Sequence, residues 1–259
     1  MRVVSVHRDA LVVTSRMWQT NAIALRAGDE AMLIDAPYFP DELDALPSLL
    51  TQSGFEPVAL LATHADFDHL LARLAFPGLS LGVGEATIER MQREPGAAQR
   101  ELRDHDAEHY VVREAPLALG QLQGLPAPGS LELGDVELEL HPSEGHTSDG
   151  IAVLSRSHGV LAVGDYLSDV EIPMLSEHAS LEDYRATLAR LSPLVEVSET
   201  VVPGHGSPHG RETALRLLDE DVEYLDALER GEPRPGLPAG RDTVTQRRIH
   251  AENLRRLAG

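Results

Sequence analysis

Four of the six residues from His64 to His69 carry an imidazole or a carboxylate: His64, Asp66, Asp68 and His69. The run before them, Val58-Ala59-Leu60-Leu61-Ala62-Thr63, is apolar and free of glycine. It predicts a strand buried on both faces that ends where the polar groups begin. Ligand-type side chains then sit at the C-terminal edge of a strand, where open α/β folds place their sites. Three more such residues, His146, Asp165 and His205, follow further along. Imidazole nitrogens and carboxylate oxygens at tight spacing suit zinc, iron or manganese, whereas calcium and magnesium favour an all-oxygen shell. The pattern is that of a hydrolase with two metal ions.

Each of the other ligand-type residues also follows a predicted strand. Val3–Val6, Ala10–Thr14, Asn21–Arg26 and Ala31–Asp35 read as strands, with a turn at Gly28-Asp29-Glu30. Pro40 opens a helix to about Leu50, Leu79–Val83 is a further strand, and residues 85–108 are helical with a break at Pro95-Gly96. Leu131–Leu140 alternates apolar and acidic residues about Gly134-Asp135, which predicts a hairpin with one wet face. Ile151–Ser155 and Val160–Val163 form a second hairpin that delivers Asp165, and Thr200-Val201-Val202-Pro203 delivers His205. Ser180 starts a helix to about Leu191, and another helix runs from Gly210 to about Arg230. A Pro/Gly-rich linker from Gly231 to Pro238 precedes a last helix from Thr243 to Leu257.

His64-Ala65-Asp66-Phe67-Asp68-His69, Gly145-His146-Thr147, Gly164-Asp165 and Gly204-His205-Gly206 occur in that order. So arranged, the chain resembles the metallo-β-lactamase superfamily, with its H-x-H-x-D-H, G-H-T, G-D and G-H-G motifs. Thr20-Asn21 and Leu33-Ile34-Asp35 extend the resemblance upstream, so that it covers roughly residues 3 to 210. It implies an α/β fold, the αββα sandwich of two mixed sheets flanked by helices. On that basis residues 1–230 form the domain, and 231–259 are a linker and C-terminal helix packed on it. The resemblance also implies that His64, Asp66 and His146 hold one ion, that Asp68, His69 and His205 hold a second, and that Asp165 bridges them. A hydroxide between the ions would be the nucleophile, since metal coordination lowers the pKa of water from about 15.7 to about 7. Asp68 would also orient it, which makes it the expected catalytic residue.

The chain departs from the family at Asp66, where most members have histidine, and at Leu70-Leu71, where small glycines commonly follow. An added anionic oxygen hardens the first site and moves its preference toward iron or manganese. Two divalent transition-metal ions per chain are expected, zinc first, with iron or manganese as alternatives.

Composition removes other classes. A formal charge of −20 disfavours polyanions, so nucleic acid is not expected as a partner. No run approaches the roughly 18 apolar residues of a membrane span, and Met1–His7 lacks a signal peptide's apolar region. The expectation is a cytoplasmic protein acting on a small-molecule substrate, with a homodimer compatible with the sequence. Cysteine is absent, which excludes disulfides and thiolate ligands.

Four residues are candidates for contact with substrate: Trp18 in the loop before Asn21, Phe67 among the ligands, Tyr166 as an oxyanion donor, and His250 on the last helix. Asp35 is expected to anchor a ligand, and His105 and His109 to lie on a solvated helix face. The function expected is hydrolysis of a small ester, thioester, lactone or amide. Two alternatives stand beside it. One is a non-haem iron dioxygenase resembling the superfamily's persulfide dioxygenases, and the other is a metal-binding regulatory protein without turnover.

Overall fold

A computed structural model describes residues 1–176, 179–232, 237–238 and 240–258. Part of the expected linker, residues 233–236, lies outside them. β1 (Arg2–His7), β2 (Ala10–Thr14), β3 (Asn21–Ala27), β4 (Glu30–Ile34), β5 (Pro57–Leu61), β6 (Ser80–Gly84) and β7 (Leu122–Leu125) form one sheet in chain order. Its first four strands are antiparallel neighbours, and β4 to β7 run parallel. The second sheet has the order β13-β12-β11-β10-β9-β8, from β8 (Gly129–Leu133), β9 (Val136–Pro142), β10 (Ile151–Ser155), β11 (Val160–Ala162), β12 (Thr200–Val202) and β13 (His209–Gly210). There β11 and β12 pair in parallel and the other neighbours antiparallel.

Strand side chains alternate between faces, so a strand that is apolar at every position needs cover on both. β2 meets that condition: Ala10 and Val12 join the core between the sheets, while Leu11 and Val13 join the core beneath the helices. The inter-sheet core sets Ile23, Leu25, Ile34 and Leu61 against Leu138, Leu140, Ile151 and Val153. On the outer face of the first sheet lie α1 (Pro40–Gln52), through Leu43, Leu46 and Leu50, and α4 (Ala97–Glu108), through Leu102. On the outer face of the second lie α5 (Leu181–Glu196), through Leu188 and Leu191, and α6 (Arg211–Glu229), through Leu217 and Leu225. The result is the expected four-layer αββα sandwich.

Three elements differ from expectation. β5 is covered on both sides only at its end: Val58 is 47% exposed, whereas Leu60 and Leu61 are buried. β7 was not anticipated; its Leu122-Gln123-Gly124-Leu125 carries no β-branched residue. α5 continues past Pro193 to Glu196, because Leu194 and Val195 gain burial that outweighs the lost amide donor.

α2 (Ala72–Ala75) and α3 (Glu85–Arg93) flank the 64–69 loop and the strand after it. α7 (Val244–Ala258) is latched to the loop before α5. The Asn253 Nδ2 group donates to the Pro173 carbonyl at 2.8 Å, its Oδ1 accepts from the Leu175 amide at 3.0 Å, and Gln246 Oε1 accepts from the Ile172 amide at 2.8 Å.

Candidate metal centre

Each ligand-type residue lies where the backbone leaves a strand. His64 to His69 follow β5, His146 lies between β9 and β10, Asp165 follows β11 and His205 follows β12. The ends are tied together. Thr20 forms an isolated bridge with His205, and Asn21 donates from Nδ2 to the carbonyls of Pro203 (2.8 Å) and Gly206 (3.0 Å).

All seven converge. Asp66 Oδ2 is 3.6 Å from both His64 Nε2 and His146 Nε2, and Asp165 Oδ2 is 3.2 Å from His146 Nε2 and 3.8 Å from His64 Nε2. Asp68 Oδ2 is 3.3 Å from His205 Nε2 and 3.6 Å from His69 Nε2. Asp165 also reaches the second group, with Oδ2 at 3.4 Å from His205 Nε2 and Oδ1 at 3.2 Å from His69 Nε2. Ligand atoms about 2.1 Å from a tetrahedral ion stand about 3.4 Å apart, so both groups have the size of an ion cage.

Hydrogen bonding makes the same case. His69 Nδ1 lies 2.9 Å from Asp35 Oδ2, His146 Nδ1 3.0 Å from the Met174 carbonyl, His64 Nδ1 3.0 Å from Thr63 Oγ1, and His205 Nδ1 3.4 Å from Thr20 Oγ1. Such contacts place the proton on Nδ1 and aim the Nε2 lone pair inward. Yet the Nε2 atoms of His64, His69 and His146, together with Asp68 Oδ2 and Asp165 Oδ1, are buried without a hydrogen-bond partner. Buried polar atoms do not ordinarily go unpaired, and a cation among them resolves all five. The donors therefore fit the two transition-metal ions that the resemblance implies.

The charges of the metal-free protein follow. Burial alone would depress the His146 imidazole, but the Asp165 and Asp66 carboxylates outweigh it and push it up to about 10. His69 and His205 are raised well above the ordinary value by Asp68, Asp165 and their neighbours against the same opposing burial. Burial works against ionised Asp66 and Asp165 too, yet the imidazoles hold both well below the usual carboxylate range. Ligation needs neutral imidazoles, so incoming ions must displace these protons. Metal uptake at about pH 7.5 is thus expected to release protons, from the His69, His146 and His205 imidazoles and from the water that becomes hydroxide. Apparent affinity should rise with pH. Titration calorimetry in buffers of different ionisation enthalpy counts the protons, and buffer-independent heats would contradict the charge state.

The expected substrate contacts separate. Trp18 is 38% exposed, and its ring lies 6.2 Å from those of both Phe67 and His205, at the rim beside the second ligand group. Tyr166 and His250 need correction. The Tyr166 hydroxyl is buried, accepts from the His146 amide at 2.9 Å and donates to the Glu144 carbonyl at 2.7 Å. It shapes the His146 loop and is not free to meet an oxyanion. His250 is buried with Nδ1 3.1 Å from the Tyr224 hydroxyl on α6, and Glu252 and Arg256 are the residues by which α7 reaches the cavity beside Asp66. That cavity, of about 310 Å³, is also lined by Arg90, Glu101 and Ser148.

Several participants escaped the sequence reading. His105, expected on a solvated face, is half-buried, with its ring 4.3 Å from Trp18 and Nδ1 2.7 Å from the Tyr38 hydroxyl. A Glu171 oxygen lies within 4.8 Å of ligand atoms of Asp165 and His205. Arg90 contacts Asp66 Oδ1 at 2.8 Å and Asp149 Oδ1 at 2.8 Å, and Asp149 Oδ2 accepts from the Ala65 amide at 2.8 Å. The buried Asp149, three residues after His146, was the signal available, since a carboxylate in a buried loop requires a cation or donors.

A profile of the Metallo-beta-lactamase superfamily matches residues 16–80 and 81–205. Among curated proteins, acyl-coenzyme A thioesterase MBLAC2 of Gallus gallus is 27% identical over 221 residues, covering 79% of this chain and 78% of that protein. The Homo sapiens protein of the same name is 23% identical, covering 79% of each. Among solved structures, metallo-beta-lactamase family protein TTHA1429 from Thermus thermophilus aligns with a TM-score of 0.72 at 21% identity, over 98% of this chain and 93% of that one. TTHA1623 in a di-iron-bound form aligns with a TM-score of 0.60 at 23% identity, over 80% of this chain and 97% of that one. At such identities the structural likeness speaks for the fold alone. With the profile spanning the 64–69 loop, the His146 loop, Asp165 and His205, the chain belongs to the metallo-β-lactamase superfamily.

Proposed function

We propose that this protein is a metal-dependent hydrolase that cleaves a small thioester or ester, with lactones and amides as chemically related substrates. The observation that carries this reading is the convergence of seven inward-facing donors, five of them with buried unpartnered atoms, beside an open cavity. Bound ions supply a nucleophile by lowering the pKa of water to about 7, and they polarise the scissile carbonyl. The chain's own groups do the rest. His64, Asp66 and His146 would hold one ion and Asp68, His69 and His205 a second, with Asp165 within reach of both groups. Asp68 Oδ2 faces the second group, where it would hold that ion and orient the attacking oxygen. Asp35 fixes His69 through Nδ1 and also accepts from the Thr63 amide at 2.8 Å, so one carboxylate sets both the ring and the loop start. Trp18 and Phe67 offer apolar surface to an acyl chain.

The thioesterase name of the curated relatives puts thioesters first. The acidic surface and the Glu101 and Glu252 lining favour a short thioester whose leaving group is not polyanionic. Hydrolysis of acyl N-acetylcysteamine, glutathione and coenzyme A thioesters, alongside esters and lactones, tests this. Metal-dependent turnover, fastest on the neutral leaving group, is expected. Metal-loaded protein inert on the whole panel, or iron-dependent oxygen consumption instead, would overturn it.

A further inference from the structure

We propose that Arg90 is the built-in counter-ion of the first metal site, confining Asp66 to a single ligating oxygen and offsetting part of the charge that this carboxylate adds. This rests on the metal-centre reading above.

Arg90 projects from α3 and is 13% exposed, while the Asp149 side chain is fully buried. Its two Nη groups divide between carboxylates, one to Asp66 Oδ1 and one to Asp149 Oδ1, each at 2.8 Å. Nε faces Glu94 Oε2 at 3.5 Å. Asp149 is itself anchored, since Oδ2 accepts from the Ala65 amide and its carbonyl accepts from Thr87 Oγ1 at 3.0 Å. The guanidinium therefore joins the candidate ligand to the group that holds the backbone directly before it.

The oxygens of Asp66 have separate tasks. Oδ1 is taken by Arg90, and Oδ2 faces His64 Nε2 and His146 Nε2. Asp66 would then offer an ion at this site one oxygen, and the guanidinium, shared with Asp149, offsets part of the charge that the carboxylate brings. The hardening expected from an aspartate in place of histidine is thereby reduced, and the site keeps more of a preference for zinc over manganese than a free bidentate carboxylate would allow. A planar fork can bridge two carboxylates in this way, whereas lysine supplies the charge as a point.

The test uses Arg90→Gln and Arg90→Lys in the full-length protein, with zinc and manganese in competition and the visible spectrum of the cobalt(II)-loaded form as the geometric readout. Arg90→Gln frees Oδ1, so zinc affinity at the first site is expected to fall about 10- to 100-fold relative to manganese. The cobalt bands should weaken as Asp66 Oδ1 becomes available to the ion and its coordination number rises. Arg90→Lys should restore most of the zinc preference and only part of the spectrum. If both variants only lower thermal stability and keep the wild-type zinc-to-manganese ratio and cobalt spectrum, Arg90 is a structural pin and the inference fails. A wild type that binds neither zinc nor cobalt would instead sink the metal-centre reading itself.

Discussion

Replacing His146 with alanine is expected to leave at most one ion per chain and to lower turnover by about 1,000-fold or more, several kcal/mol of transition-state stabilisation. His146 Nε2 faces both Asp66 and Asp165, so its loss would take one donor from the proposed first site and a fixed neighbour from Asp165. The main chain should survive. The Tyr166 hydroxyl meets the amide of residue 146, not its side chain, and that contact holds the loop in the variant. Elemental analysis and steady-state hydrolysis on the same preparation check both halves, with circular dichroism as the control for folding. A His146→Ala protein that keeps two ions and wild-type turnover would remove His146 from the centre.

Gly204→Ala is expected to damage the centre as severely, without removing any donor. A Cβ at position 204 would stand 2.1 Å from Asp165 Oδ1 and 2.8 Å from His69 Cε1, with the Gly164 carbonyl carbon at 3.2 Å. The backbone cannot retreat, because the Gly204 amide donates to the Gly164 carbonyl at 2.6 Å and its carbonyl accepts from the Asn21 amide at 2.7 Å. The Asp165 carboxylate must then swing away from its position between the two donor groups. Loss of at least one ion and of nearly all turnover follows. Gly210→Ala is the matched control: a Cβ there meets nothing within 4 Å, and metal content should not change. Equal metal content in the two variants would show that Gly204 does not pack against the centre.

How much of this was legible in the sequence depends on whether a feature is local. The converging donor residues were, because each follows a strand marked by an apolar run or, for His146, by apolar–acidic alternation, and Thr20-Asn21 and Asp35 lie at the ends of such strands. Partnerships across the fold were not. Arg90 meets Asp66 only because α3 packs beside the 64–69 loop, and nothing in Glu89-Arg90-Met91 distinguishes that arginine from an exposed one. Asp66 therefore read as surplus negative charge. Tyr166 read as a candidate donor for the opposite reason: its place after Asp165 is local, whereas the Glu144 carbonyl and His146 amide that occupy its hydroxyl come from another strand connection. His105 was assigned to solvent from its acidic neighbours, and what buries it is Trp18, on a loop whose turn takes Trp18 and Gln19 to positive φ. The His250 expectation placed the right helix over the cavity and chose a residue on its inner face. Glu252 and Arg256 line the opening instead.

Anomalous diffraction at a metal absorption edge, on crystals grown with excess zinc, tests the central claim most directly. Two peaks about 3.5–4 Å apart are predicted, one among His64, Asp66 and His146 and the other among Asp68, His69 and His205, with Asp165 between them. No peak at these residues in zinc-saturated crystals, or ions bound only at surface carboxylates, would contradict the account.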